Sequence, residues 1–331
     1  MKLIVQIPCF NEEDTLADVV ADIPRQIPGV ECVEILVIDD GSTDGTVAVA
    51  KTCGVDHVLK NKKNLGLARS FQAGMEEAMR LGADIVVNTD GDNQYRGTSI
   101  QDLVKPILER RADITIGDRN PGANPEFTGL KRFLQKFGTA VVRNLAKLDV
   151  SDAVSGFRAY SREAALSINV MTKFSYTTET LIHAGQHGLV VISVPVKTNP
   201  STRPSRLAGS MFSFLRKQVI TILRSYFMYR PLAAFLGAGL IMCTIGSVPI
   251  LRFLFYYAIG EGEGKVQSLI LGSMFLLAGY ITIIIAFLSD GLATNRRLTE
   301  SVLQRVRRIE QHHLEGTNQT ARSPAEFAGD D

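Results

Sequence analysis

Charge of one sign is the first thing this 331-residue sequence lacks: 36 Lys and Arg stand against 34 Asp and Glu, for a formal net charge of +2. So small an excess supplies no global field for gripping nucleic acid, and no nucleic-acid partner is expected. Paired cysteines are missing as well. Cys9, Cys32, Cys53 and Cys243 lie far apart and form no CxxC, which argues against a zinc ribbon or a disulfide framework and suits a reducing compartment. The opening run, Met1 to Pro8, is too short for the apolar core of a signal peptide and turns polar at Asn11-Glu12-Glu13. Phosphate-binding glycine loops are also absent. No GxGxxG follows the first apolar run, and Gly260 to Lys265 has neither Walker spacing nor a Ser or Thr after its lysine, so a P-loop ATPase and a dinucleotide oxidoreductase lose their main support.

What the sequence does have is apolar residues, 45% of the total, which is ample for a buried core. Two uncharged stretches, Pro231 to Leu251 and Val266 to Ser289, approach or exceed the roughly 20 residues that cross a bilayer as a helix. A buried helical hairpin is the alternative, but the second stretch is apolar on every face. Arg216, Lys217, Arg224 and Arg230 precede the pair, and Arg296, Arg297, Arg305, Arg307 and Arg308 follow it, while the loop between them carries Glu261 and Glu263. The positive-inside rule then puts both flanks, and the whole N-terminal region, on the cytoplasmic face of a multi-pass membrane protein. The alternation of bases with aromatic and aliphatic residues over 210–229 suits a helix lying in the headgroup layer.

The first 200 or so residues alternate short β-branched runs with helical patterns, as in a parallel sheet covered by helices. Strands are expected at Lys2 to Ile7, Glu34 to Ile38, His57 to Lys60, Ile85 to Thr89, Ile114 to Gly117 and Val190 to Val194. Helices are expected at Glu13 to Ile23, Thr46 to Cys53, Ala68 to Leu81 and Ile100 to Arg110. Three of the strands end in polar clusters: Pro8 to Glu12, Asp39 to Gly45 and Asp90 to Gln94. In an open α/β sheet ligands bind beyond the carboxyl ends of the strands, and three acidic clusters there exceed what turn chemistry alone requires.

Asp90 and Asp92 flank a glycine, so both carboxylates could converge on one hard cation, with Gln94 adding a neutral oxygen. That donor set suits Mg²⁺ or Mn²⁺ shared with the phosphates of a nucleotide diphosphate. A plain Asx loop is the competing reading. His183 and His187, four apart with Glu179 nearby, have zinc-like spacing but no evident third ligand, so packing or surface histidines are the preferred account.

Pro8 to Glu12, Val37 to Asp44, Asp90-Gly-Asp92 with Gln94, and Asp152 to Arg158 together resemble the GT-A glycosyltransferases of family 2. More narrowly, they resemble the polyprenyl-phosphate branch that includes dolichol-phosphate mannose synthase and the bactoprenol glucosyltransferases. The resemblance runs from about Lys2 to Leu207 and implies a Rossmann-like α/β domain with a mostly parallel sheet. It implies that Pro8, Glu12, Asp39 and Asp40 hold base and ribose, and that Asp90, Asp92 and Gln94 handle the metal and diphosphate. It further implies that Ser155, Arg158 and Arg203 lie near the acceptor, with Arg119 and Lys131-Arg132 adding positive charge for a lipid phosphate. The sequence departs from the branch in reading Asp-Gly-Asp-Asn-Gln-Tyr where many relatives have Asp-Ala-Asp-Leu-Gln, and Arg203-Pro-Ser-Arg-Leu207 for Gly-x-Ser-Lys-Leu. A processive polymer synthase of the superfamily would carry Gln-x-x-Arg-Trp, and this chain has no tryptophan.

The expected layout is a GT-A catalytic domain at 1–207, an interfacial amphipathic helix at 208–230 and two transmembrane helices at 231–289 with a non-cytoplasmic loop at 260–265. A basic cytoplasmic helix at 290–314 and a disordered tail at 315–331 complete it. The expected reaction is transfer of a hexose from GDP-mannose or UDP-glucose to a polyprenyl phosphate at the bilayer, with inversion. The attacking phosphate has a second pKa of about 6 and is already largely anionic. Asp152 is therefore more useful for orienting an arginine than as a base, and Arg119, Arg132, Arg158 and Arg203 are the candidates for holding the phosphate. A different lipid acceptor, a membrane-anchored sugar nucleotidyltransferase and a non-catalytic partner remain as alternatives. Two lone spans under a large domain could also pack as a homo-oligomer.

Overall fold

A computed structural model describes residues 1–119, 139–140, 143, 146–170, 176–199, 227, 230–261, 264 and 266–322. It divides into two compact units, Met1–Gln218 with Gln304–Asp331, and Val219–Leu303.

The first unit is built on a seven-stranded sheet. Its strands are β1 (Lys2–Cys9), β2 (Cys32–Asp39), β3 (His57–Lys60), β4 (Ile85–Asn88), β5 (Ile114–Asp118), β6 (Arg158–Ser161) and β7 (Val191–Pro195). Between them run α1 (Leu16–Asp22), α2 (Thr46–Thr52), α3 (Leu67–Arg80), α4 (Ile100–Leu108), α5 (Arg162–Ser167) and α6 (Tyr176–Gln186). The strand order is β3-β2-β1-β4-β6-β5-β7, parallel throughout except for β6, which runs antiparallel to both neighbours.

Central strands of such a sheet are covered on both faces, so they read as nearly continuous apolar runs. In β1, alternate side chains divide between two cores. Leu3, Val5, Ile7 and Cys9 pack with α1 and α4 residues such as Leu16, Val20, Leu103 and Val104. Ile4 faces the other way, toward Phe71, Met75 and Ala78 of α3 and toward Ala164 and Leu181. The chain leaves β1 for β2 on one side and later returns to β4 on the other. The crevice between the tips of β1 and β4 is therefore the topological switch point, where an open α/β sheet offers space for a ligand.

The expected strands and helices are all present, with three differences. α1 begins at Leu16 instead of Glu13, because Asn11 takes a left-handed conformation (φ 56°) and Glu12 to Thr15 form a turn. β6 was not expected: its four residues begin with an arginine, just after Gly156-Phe157, a pattern that becomes a strand only when β4 and β5 supply partners on both sides. α5 was likewise not anticipated; its start is capped by Ser161, whose hydroxyl accepts the N–H of Ala164 at 3.2 Å.

In the second unit, α7 (Pro231–Ala258) carries proline at its first turn, where no N–H is needed. α8 (Val266–Arg322) follows. Both are long and apolar enough to cross a membrane. The two helices come close at Gly246 and Gly272, where a Cβ on Gly246 would lie 2.7 Å from the Gly272 carbonyl oxygen. α8 does not stop at 314. It continues through 315–322, a correction to the expectation of a tail disordered from 315, because Gly316 is the one strong helix breaker in that stretch and a helix already formed propagates cheaply. Its Arg307, within the first unit, donates to the Ile168 carbonyl at the end of α5 (3.0 Å) and to Glu76 of α3 (2.8 Å). The expected interfacial helix at 208–230 lies outside the described residues except for Phe227 and Arg230.

Candidate active site

Three loops meet at the switch point. After β1, the Glu12 backbone N–H donates to Thr46 Oγ1 at the start of α2 (2.9 Å). The Thr15 hydroxyl lies 2.6 Å from the Gly91 carbonyl and 3.1 Å from Glu12 Oε2, so one side chain ties the β1 loop to the loop after β4. Gly91 itself leaves little room for a side chain: a Cβ there would lie 3.1 Å from Cys9 Sγ and 3.3 Å from Glu12 Cγ. Pro8, in β1, is buried beside Ile38 in register, and serves the frame of the crevice.

Asp39 and Asp40 end β2 with different surroundings. Asp39 is fully buried; its Oδ1 accepts the Ser42 N–H at 2.9 Å, while Oδ2 meets no hydrogen-bond donor among the described residues. A buried carboxylate oxygen without a donor is costly unless a ligand supplies one. Asp40 is well supplied. It accepts from Asn61 Nδ2, from the Leu65 N–H (each 2.9 Å) and from the Gly66 N–H (2.8 Å), which pins the 61–66 loop ahead of α3. Asp40 thus anchors this loop through three of the roughly four lone-pair sites of its carboxylate.

After β4 come Asp90 and Asp92. Burial pushes the Asp90 carboxyl up to about 7, with the negative charges of Asp92 and Glu12 adding to the rise and Arg119 opposing it. No hydrogen bond holds its carboxylate among the described residues. Asp92 Oδ1 accepts the Gln94 N–H at 3.2 Å, and Asn93 sits at φ 58°, a sharp bend just after the second carboxylate. The neighbouring segment is fastened by Asn199, whose N–H donates to the Gln94 carbonyl (2.9 Å) and whose Nδ2 donates to the Asn93 carbonyl (3.1 Å). Two hard oxygen donors, one partly desolvated and crowded by like charge, fit a divalent cation: the positive charge would relieve the repulsion that now raises Asp90.

Across from these carboxylates lies the 152–158 loop. Asp152 is fully buried and forms a two-pronged ion pair with Arg119, Nε to Oδ2 at 2.7 Å and Nη2 to Oδ1 at 3.1 Å. Asp152 Oδ1 also accepts the Val154 N–H at 3.3 Å. With both oxygens occupied, Asp152 orients Arg119, the role preferred from sequence. Burial works against the Arg119 charge, but Tyr95 and the hydrogen-bonded Asp152 outweigh it and hold the guanidinium above its ordinary range.

Arg158 is a correction. It is 0% exposed, and its guanidinium donates to the carbonyls of Ser155, Thr177 and Ala153 (each 2.8 Å) and to Thr180 Oγ1 (2.7 Å). A side chain so placed fastens its own loop to α6 and has no access to an acceptor phosphate. Ser155, also 0% exposed, lies inside the same loop, and its hydroxyl oxygen meets no hydrogen-bond partner among the described residues. Arg132 and Arg203 lie outside the described residues, as does Lys131. His183, buried on α6, and His187, exposed just past its end, stack with ring centroids 4.1 Å apart, away from these loops in the chain.

Sequence reasoning missed three residues that build the floor of the crevice. Asn88, buried at the end of β4, donates to the Gly156 carbonyl (2.8 Å) and to the Tyr176 hydroxyl (3.1 Å), and accepts from Gln6 Nε2 (2.9 Å). Tyr176 stacks on Phe71 at 4.2 Å. Tyr95 stacks on Phe157 at 5.0 Å. Gly156 lies against all of this: a Cβ there would fall 2.6 Å from the Tyr176 hydroxyl and 3.2 Å from Asp90 Oδ1. The available signal was a polar Asn closing the apolar run Ile85 to Val87, since a buried amide demands partners.

Comparison with known proteins places these features in context. The glycosyl transferase family 2 model matches residues 4–168. An uncharacterised glycosyltransferase of Mycobacterium tuberculosis is 32% identical over 225 residues, 66% of this chain and 94% of that protein. The polyprenol monophosphomannose synthase of Mycolicibacterium smegmatis is 28% identical over 221 residues, 63% of this chain and 82% of the synthase. In fold, the chain is similar to the crystal structure of glucosyl-3-phosphoglycerate synthase from Mycobacterium tuberculosis in complex with UDP, with a TM-score of 0.52, 22% identity, and coverage of 68% of this chain and 79% of that one.

Proposed function

This chain belongs to glycosyl transferase family 2, and we propose that it moves a hexose, mannose or glucose, from a nucleotide-diphosphate sugar to a polyprenyl phosphate at the cytoplasmic face of a membrane. The observation that carries this reading is the opposition of Asp90 and Asp92 to the Asp152-held Arg119 across one crevice at the switch point. The similarity to a polyprenol monophosphomannose synthase supports the acceptor class, and α7 and α8 supply spans that would keep the crevice beside a lipid.

A bound Mg²⁺ or Mn²⁺, held by Asp90 and Asp92 with Gln94 in reach, supplies charge neutralisation for the departing diphosphate. Asp39 Oδ2 accepts an N–H from the donor's base, satisfying the oxygen that the fold leaves without a donor. Glu12, tied to Thr15 and to the Gly91 loop, borders the ribose. Arg119 binds the acceptor phosphate with Nη1, because Nε and Nη2 are committed to Asp152. The acceptor oxygen forms its bond to the anomeric carbon as the carbon–oxygen bond to the nucleotide diphosphate breaks, and the electron pair leaves with the diphosphate. A single displacement of this kind inverts the anomeric configuration, and no general base is required for a nucleophile that is already an anion.

The test is release of nucleoside diphosphate by the full chain in bilayer discs, with Mg²⁺, a polyprenyl phosphate and GDP-mannose or UDP-glucose in turn. Turnover that requires both lipid phosphate and one donor is the expected result. Release without the lipid, or full activity in Asp92→Ala, would refute the assignment.

A further inference from the structure

Tyr95 lies just past the Asp90–Gln94 cluster and is only 4% exposed. Its ring stacks on Phe157 with an interplanar angle of 18°. The Arg119 guanidinium lies over the ring at 6.0 Å from its centroid. Its hydroxyl oxygen accepts the Gly156 N–H at 3.3 Å, and a Cβ on that glycine would lie 3.2 Å from Asp90 Oδ1. Its backbone bridges to Thr198, next to the Asn199 that fastens the Asn93–Gln94 turn.

From this arrangement we infer that Tyr95 is a positioning residue that sets acceptor affinity: its ring holds the plane of Arg119 while Asp152 holds its fork, so that Nη1 meets the acceptor phosphate already aligned. The inference rests on the proposed function and deepens it.

The physical reason is that a guanidinium has two independent orientational needs. The Asp152 carboxylate fixes rotation within the guanidinium plane by two parallel hydrogen bonds. It does little to stop the plane from tilting about the axis of that pair. An aromatic face beneath the cation removes the tilt and attracts the charge, an interaction that strengthens in partly desolvated surroundings. Lysine at 119 would keep the attraction to the ring but has neither a planar fork for Asp152 nor a plane for the ring to align. Because Tyr95 also belongs to the loop of Asp90 and Asp92, the acceptor arginine and the metal carboxylates share one support. The ring contributes through Arg119, on the acceptor side, while the hydroxyl serves to fasten the Gly156 backbone.

The experiment measures the two Michaelis constants separately in the full chain, for Tyr95→Phe, Tyr95→Leu, Arg119→Lys and the Tyr95→Leu/Arg119→Lys double variant. Tyr95→Phe keeps the ring and is expected to hold the acceptor KM within about twofold of the parent. Tyr95→Leu is expected to raise acceptor KM roughly tenfold, the scale of about 1.4 kcal/mol for a cation over an aromatic face, and to change donor KM by less than about twofold. In the Arg119→Lys background the Leu substitution is expected to add nothing. Equal rises in both constants, equal damage from Phe and Leu, or additive effects in the double variant would each overturn the positioning role. A second measurement does not depend on turnover. Binding of dodecyl phosphate to the three single variants follows the same order if the inference holds, and is the same in Tyr95→Phe and Tyr95→Leu if it fails. A parent protein that transfers no sugar but shows that order refutes the proposed reaction and leaves the inference standing.

Discussion

The carboxylates at the tips of β2 and β4 and the charged loop from Asp152 to Arg158 are both rich in ionised groups, yet they handle charge in opposite ways. In the loop the ionised groups are mostly answered: Asp152 holds Arg119 by two bonds and Arg158 reaches four protein oxygens, although the uncharged Ser155 Oγ meets no partner among the described residues. At the strand tips the answers are missing. Asp39 Oδ2 is buried without a donor, and Asp90 is pushed up to about 7 by burial and by its acidic neighbours. Saturated charge stabilises a fold, whereas charge left wanting marks the place reserved for something that arrives later. Asp39 and Asp40 repeat the contrast within two adjacent residues, the first with a vacant oxygen and the second held by three donors.

That comparison is broken or sharpened most strongly by removing one group from each side. Asp92→Ala is expected to lower kcat by roughly a thousandfold, the scale of several kcal/mol of lost metal-assisted stabilisation, while thermal unfolding stays within about 2 °C of the parent. Arg158→Met should do the reverse kind of damage. It strands three buried carbonyls and a hydroxyl, so a loss of about 3 kcal/mol or more in denaturant unfolding is expected, with activity falling only as folded protein is lost. If Arg158→Met instead proved stable and inactive, the loop would belong with the strand tips.

The pH dependence of the metal-free protein provides a finer test. The folded pKa of Asp90, about 7, lies above the unfolded carboxyl value of about 4. Between those values the folded state binds more protons than the unfolded one, so this group's contribution to stability is greatest at low pH and declines as pH rises to about 7. Asp90→Asn removes that decline. The variant should therefore melt higher than the parent at pH 8 without metal, and the difference between the two should shrink toward pH 5. Mn²⁺ should raise the melting temperature of the parent at pH 8, do much less at pH 5.5, and leave Asp90→Asn unmoved throughout; calorimetry across this range checks all three. The smallest effect is expected at the outer face. Arg307→Ala breaks a pair whose Glu76 partner is 55% exposed, and should cost under about 1 kcal/mol in chemical unfolding with no change in kcat.

Much of the catalytic unit could be read in advance because its strands and helices announce themselves locally. Apolar runs such as Leu3 to Ile7 and the helical pattern of Ala68 to Leu81 lie close to β1 and α3. The metal candidates were legible for a similar reason: Asp90 and Asp92 sit two apart around a glycine at the end of a strand. Arg158 was misread because a strand-bound arginine and an acceptor-binding arginine look alike until α6 is folded against it. Tyr95, Asn88 and Tyr176 were invisible for a related reason, since the partners that give them meaning lie 61 to 88 residues away in the chain.

By itself the sequence determined the sheet-and-helix alternation, the apolar length of the last two helices and the acidic character of the strand tips, all of which depend on periodicity and composition within a few residues. Only the tertiary structure decided which charges are used up in holding the fold and which face an open crevice. Hydrogen-bond saturation depends on donors and acceptors brought together from distant segments, and no local pattern records whether a lone pair has found its partner.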